Sequence, residues 1–141
     1  MKRIGFDALT LIVGAALFTM TPARSAAQTK APPGGRYKEA CKLVQLPCFL
    51  PSLGTLYVDP STMPKGPWLG YDKKGHLVNQ IYMVPITDMQ NHMSWDDLKV
   101  GKGGRVNHVS ILFNPGHPGM GEPHYHIILW YISPEQVKAL K

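Results

Sequence analysis

Hydrophobic and polar residues alternate most clearly in the last third of the chain. One face of residues 105–113 carries Val109, Ile111 and Phe113, which is the period of a β-strand. Residues 123–132 are apolar on both faces, as in a strand that is covered on both sides. A loop rich in Gly and Pro, residues 114–122, joins the two. The pattern predicts a hairpin of two long strands.

Shorter strands are predicted upstream. Residues 54–59 form one, closed by Pro60. Residues 68–71 and 76–84 flank the sequence Asp-Lys-Lys-Gly at 72–75, where Asp at the first and Gly at the fourth position favour a type I turn. This arrangement predicts a second β-hairpin, and Pro85 ends its second strand or marks a sheet edge.

Three short helices are predicted. Residues 37–46 have apolar residues at helical spacing and precede Pro47, which would end a helix. Ser94 can cap a helix whose first turn holds two Asp residues. Ser133 and Gln136 have the spacing of a capping box. Together with the strands, these helices predict one α+β domain, mainly an antiparallel β-sheet with short helices.

The first 27 residues have the pattern of a secretory signal peptide. Lys2 and Arg3 precede an apolar run, residues 8–20, which is short for a bilayer span. Ser25 and Ala27 are small residues at the −3 and −1 positions of a cut before residue 28. We therefore expect an exported protein, periplasmic or secreted, with no stable membrane insertion after cleavage. An uncleaved anchor is the alternative.

The rest of the chain divides at about residue 53. Residues 28–52 are predicted to form an N-terminal arm, and residues 53–141 the sheet domain. The arm holds both cysteines, Cys41 and Cys48, and an isolated pair in an oxidising compartment usually forms a disulfide bond. Their spacing is neither a CxxC redox motif nor a common zinc spacing.

Charge adds little to the functional picture. The chain has 15 Lys and Arg against 9 Asp and Glu, and part of this excess belongs to the leader. The remaining basic residues are scattered, without the basic stripe and interleaved aromatics of a nucleic-acid-binding surface. The sequence also contains no P-loop and no dinucleotide-binding fingerprint. Nucleic acid is therefore not an expected partner.

Four of the six histidines lie between residues 108 and 126. His124 and His126 are two apart on a predicted strand, so they share a face, and the loop could fold His117 over them. Imidazole is a common ligand for transition metals. The spacing predicts a site for a divalent metal, zinc or copper, with Glu122 as a further ligand or as an acid or base.

Strand register decides whether His108 joins this site. If the numbers of facing residues in the hairpin add to an even sum, His108 shares the face of His124 and His126; if the sum is odd, it does not. The alternative to a metal site is a set of histidines at a sheet rim, hydrogen-bonded to backbone or aromatic groups.

These residues also carry a resemblance to a known family. The matching motifs are His108-Val109, Asn114-Pro115, His117-Pro118-Gly119 and Pro123-His124-Tyr125. The chain resembles a family of small, mostly exported bacterial domains of unknown function, typified by a ring-forming Thermus protein. The similarity extends over residues 53–141. His126 stands where the family has Asp, and Ile128 where it has its second strand His. The resemblance implies an exported homo-oligomer and no established reaction.

Three functions remain open from the sequence. The first is an exported domain that binds a transition metal through its histidines. The second is an assembly or interaction module without chemistry. The third is a metal-dependent hydrolase or oxygenase, so the sequence leaves open whether the protein is an enzyme. No Ser/His/Asp or Cys/His nucleophile arrangement is apparent, which disfavours a metal-free enzyme.

Overall fold

The computed structural model describes residues 29–141. The predicted signal peptide, residues 1–27, lies outside this part of the chain. Between residues 29 and 141, no helix combines the length and apolar character that crossing a membrane requires.

A six-stranded sheet organises the chain, in the order β1-β2-β3-β4-β6-β5 with every neighbouring pair antiparallel. The strands are β1 (Lys38–Glu39), β2 (Thr55–Val58), β3 (Trp68–Tyr71), β4 (Leu77–Pro85), β5 (His108–Asn114) and β6 (His124–Trp130). Two short helices, α1 (Ile86–Gln90) and α2 (Pro134–Lys138), accompany them. The predicted fold class, a mainly antiparallel sheet with short helices in one domain, is confirmed.

The turn between β3 and β4 forms for the reason that its sequence indicates. The Asp72 carboxylate accepts hydrogen bonds from the backbone N–H groups of Lys74 and His76, at 2.9 and 2.8 Å. Gly75 has a φ of 74°, a conformation that costs glycine little. The predicted hairpin is therefore confirmed, and it places β4 in the interior of the sheet, where all nine of its residues are buried.

The main hydrophobic core lies on one face of this sheet. Trp68, Ile81 and Ile128 are at most 1% exposed and form its centre. Residues after β6 cover this core. They include Val137, which belongs to α2. The predicted capping box begins α2: the Ser133 N–H donates to the Gln136 side chain at 2.8 Å, and Ser133 Oγ accepts from the Gln136 N–H at 3.4 Å.

A long loop, residues 91–107, forms hydrogen bonds with side chains on the other face of the sheet. The Gly101 N–H donates to the buried side chain of Gln80 at 2.6 Å, and Tyr82 Oη donates to the Lys99 carbonyl. The prediction of a helix at residues 94–97 is wrong, because the structure has no helix there. The chain becomes helical earlier, in α1, and within residues 94–107 the Lys99 carbonyl and the Gly101 N–H bond to buried side chains of β4.

The N-terminal segment also differs from the helix predicted for residues 37–46. Only Ala40–Lys42 form a single 3₁₀ turn, because Lys38 and Glu39 pair with β2 as the edge strand β1. Ala40 is buried in the main core. The predicted disulfide between Cys41 and Cys48 is formed, and it closes a short loop against the sheet.

Strands β5 and β6 are less evenly covered than their apolar sequences suggest. In β6 the even-numbered residues are buried, but the odd-numbered ones are only half-buried, so the expected cover on both sides is incomplete. In β5, Val109, Ile111 and Phe113 are 55, 66 and 57% exposed. Within the described residues, β5 has no strand beyond it.

Candidate metal centre

Three histidine side chains converge at one end of β6. His124 and His126 lie on its buried face and are 0 and 8% exposed, while His117 comes from the loop before the strand. The Nε2 atoms of His124 and His126 are 2.9 Å apart, and those of His117 and His126 are 3.3 Å apart. One ligand atom from each ring lies within 4.8 Å of the others. The structure thus brings together three of the four predicted histidines.

A tight turn brings His117 to the strand. The N–H of His117 donates to the Met120 carbonyl and the N–H of Met120 to the His117 carbonyl, both at 2.9 Å. Met120 is 4% exposed and belongs to the main core, so it anchors the loop. Gly116 has a φ of 125°, and a Cβ there would lie 2.5 Å from the Gly121 carbonyl oxygen. Glycine is therefore required at position 116.

Backbone carbonyls fix the orientation of two of the rings. Nδ1 of His117 lies 2.9 Å from the Pro118 oxygen, and Nδ1 of His124 lies 2.7 Å from the Glu122 oxygen. A carbonyl oxygen only accepts hydrogen bonds, so each Nδ1 carries the hydrogen. Whenever such a ring is neutral, its Nε2 bears a lone pair. Metal-binding histidines usually donate their other N–H in this way.

The neutral ring of His126 cannot donate a hydrogen bond to His117 and to His124 at the same time. Burial lowers the pKa of His126 to about 4, with His124 and His117 adding to the shift, so its ring is neutral at pH 7. A neutral imidazole carries one N–H. If that hydrogen is on Nε2 of His126, it can point toward Nε2 of His117 or toward Nε2 of His124, but not toward both. A cation at this point can accept all three lone pairs together.

Two of the three nitrogen separations are close to those of a three-histidine metal site. Zinc–nitrogen bonds of about 2.0–2.1 Å in tetrahedral geometry place the nitrogens about 3.3–3.4 Å apart. The His117–His126 separation of 3.3 Å matches this spacing, and the His124–His126 separation of 2.9 Å would need to open by a few tenths of an ångström. Three imidazoles leave one coordination position open.

His108 shares the face of the cluster but lies far from it. It pairs with Trp130, and Asn114 pairs with His124, so the sum of facing residue numbers is even. At about 3.4 Å per residue, the six positions between His108 and Asn114 separate it from the cluster by roughly 20 Å. Its ring stacks on Trp130, with centroids 5.8 Å apart.

Glu122 contributes to the site through its backbone. Its carbonyl oxygen accepts from His124, whereas its exposed carboxylate accepts a hydrogen bond from Thr87 Oγ1 at 2.9 Å. Among the described residues, the group of potential ligands around His126 comprises His117, His124 and His126, without this carboxylate. The predicted role of Glu122 as a ligand, acid or base thus has no support from its geometry.

A cavity beside the cluster is a feature that sequence reasoning missed. It has a volume of about 200 Å³, and its lining combines the polar residues Asn114, His117 and His126 with the aliphatic or thioether side chains of Leu46, Leu50, Leu53, Leu56, Ile81 and Met83. These residues come from well-separated parts of the chain. The closest sequence signal is the run of leucines in and after the disulfide-closed loop.

The fold and the cluster define a small antiparallel-sheet protein with three converging histidines. No protein-family model matches the chain, and no curated protein does so. Among solved structures, it is similar to a hypothetical protein from Thermus thermophilus, TTHB210, at 42% identity and a TM-score of 0.60. The match covers 67% of this chain and 92% of the Thermus chain. The chain belongs to the family of this Thermus protein.

Proposed function

We propose that the protein is an exported domain that binds a divalent transition metal through His117, His124 and His126. One observation carries the proposal: the Nε2 atoms of His117 and His124 both approach Nε2 of His126, while backbone carbonyls occupy their Nδ1 hydrogens. Imidazole ligands suit zinc, copper, iron and nickel, and zinc or copper is the metal that we propose. Two of the three rings are buried, which limits the access of water to them.

Export is part of the same proposal. The basic start, the apolar run and the small residues before residue 28 have the order of a cleavable leader. The Cys41–Cys48 disulfide supports this interpretation, because such bonds persist in oxidising compartments.

Metal content of the purified protein tests the proposal. We expect one zinc or copper ion per chain after exposure to a slight excess of the metal and removal of the unbound ions, measured by elemental analysis. The His124→Ala and His126→Ala variants should lose the ion. His108→Ala is the matched control, since His108 lies on the same sheet face outside the cluster and its loss should leave metal content unchanged. Wild-type protein without metal, or cluster variants with full metal content, would overturn the proposal.

A second function, self-assembly, is favoured by the exposed face of β5. Val109, Ile111 and Phe113 form an apolar row there, opposite the half-buried residues Leu129, Ile127 and Tyr125 of β6. An exposed apolar strand at a sheet edge is a common site of association. We propose a second copy of this chain as its partner, in agreement with the homo-oligomer that the family resemblance implies.

Molar mass in solution tests the assembly. Light scattering of the native protein should give a multiple of the chain mass, and Ile111→Lys should give the monomer. Val100→Lys is the control, because Val100 is 69% exposed and Ile111 is 66% exposed, while Val100 lies outside β5. A monomeric native protein, or an Ile111→Lys variant of undiminished mass, would refute assembly through β5.

A further inference from the structure

The cavity beside the histidine cluster has one polar end. Its polar lining residues are Asn114, His117 and His126. Asn114 faces His124 across β5 and β6, so all three lie at the cluster. The rest of the lining is apolar. The cavity therefore combines an apolar chamber with a wall that belongs to the candidate metal centre.

The apolar part of the cavity is built from the core and from the disulfide loop. Leu56, Ile81 and Met83 are at most 5% exposed, and Met83 pairs directly with His126 across β4 and β6. Leu46 and Leu50 add to the lining; Leu46 lies within the loop that the Cys41–Cys48 bond closes. The core and the disulfide loop thus both contribute to the apolar lining.

Its size suits a small organic molecule. A cavity of about 150 Å³ with an apolar lining can hold benzene, and this one measures about 200 Å³. Water is a poor occupant of the apolar part, because it needs two or more polar partners there. A charged body would lose its hydration without gaining a partner. An apolar body is favoured instead.

We propose that the cavity and the histidine cluster form one binding site for a small molecule with an apolar body and a single metal-coordinating group. The body would fill the leucine-lined chamber, and the donor group would take the coordination position that three imidazoles leave open. This inference rests on the proposed metal site. It adds the class of ligand: a short alkyl or aryl compound with a donor such as a hydroxamate or carboxylate.

A chain-length series on the zinc-loaded protein tests the inference. The probes are acetohydroxamic, butanohydroxamic and hexanohydroxamic acid, titrated by calorimetry. Each methylene that enters an apolar chamber should strengthen binding about four-fold, until the chamber is full. The metal-free protein should bind the same acids at least about 100-fold more weakly, because it lacks the coordination bond.

A pair of variants in the disulfide loop tests where the alkyl chain lies. Leu46→Trp should fill part of the chamber and flatten the chain-length dependence. Leu43→Trp is the matched control, since Leu43 lies in the same loop, is 41% exposed and does not line the cavity. The control should keep the dependence, and both variants should keep their zinc.

The outcomes separate this inference from the metal proposal. A protein that takes up zinc but binds the three acids equally well has no apolar subsite, and only the present inference falls. The same holds if Leu46→Trp leaves the chain-length dependence intact. A native protein that takes up no metal overturns the metal proposal and this inference together.

Discussion

The disulfide loop should contribute a measurable part of the stability of the domain. Cys41 and Cys48 are 7 positions apart, and the chain-entropy relation for a loop of this length gives about 2.4 kcal/mol at 25 °C. The perturbation is the double variant Cys41→Ser, Cys48→Ser. For a domain of this size, the loss corresponds to a fall in Tm of about 10 °C, which differential scanning calorimetry can resolve.

Reductant provides the control for this measurement. Dithiothreitol should lower the Tm of the native protein by a similar amount and leave the double variant unchanged, because no bond remains there to reduce. A fall in Tm below about 2 °C for both the variant and the reduced protein would refute the argument. It would mean that contacts such as the burial of Ala40 in the core hold the segment without the bond.

Three further predictions concern the site loop, the second sheet face and the last helix. Gly116→Ala should weaken zinc binding at least about ten-fold by calorimetry, because its Cβ would meet the Gly121 carbonyl and strain the turn that carries His117. Gly104→Ala is the control, since a Cβ there meets nothing within 4 Å, and it should leave the zinc affinity unchanged. Gln80→Leu should lower the free energy of unfolding in urea by about 1–3 kcal/mol, since it removes the buried acceptor of a backbone N–H, and a smaller loss would indicate that water replaces it. Ser133→Ala should cost about 1 kcal/mol in the same assay, and an unchanged midpoint would show that the capping box does not matter.

Local signals predicted the parts of the fold that depend on neighbouring residues. The β3–β4 turn follows from Asp72 and Gly75, and the start of α2 follows from Ser133 and Gln136, because each set bonds within a few residues of itself. The helix expected after Ser94 was wrong for the opposite reason. Two backbone groups just beyond it, the Lys99 carbonyl and the Gly101 N–H, bond to side chains of β4, which are distant in sequence.

The site was only partly readable from the sequence. The spacing of His124 and His126 places both on one strand face by the geometry of any β-strand. His117 is brought to them by a turn that its neighbouring glycines permit. The position of His108 depends on the register of β5, which a long loop leaves undetermined. The cavity could not be predicted, since its lining residues meet only when distant segments pack together.

Strand β6 holds its two histidines more firmly than the loop holds the third. Its backbone hydrogen bonds to β4 and β5 run along its whole length, whereas the backbone of His117 is held by the turn with Met120. Local opening of a loop costs less free energy than opening an interior strand. At the proposed metal site, an arriving ion would therefore meet His124 and His126 first and be enclosed when His117 closes. The rates of metal uptake and release should follow the opening rate of residues 115–121, a quantity that hydrogen exchange of that loop can measure.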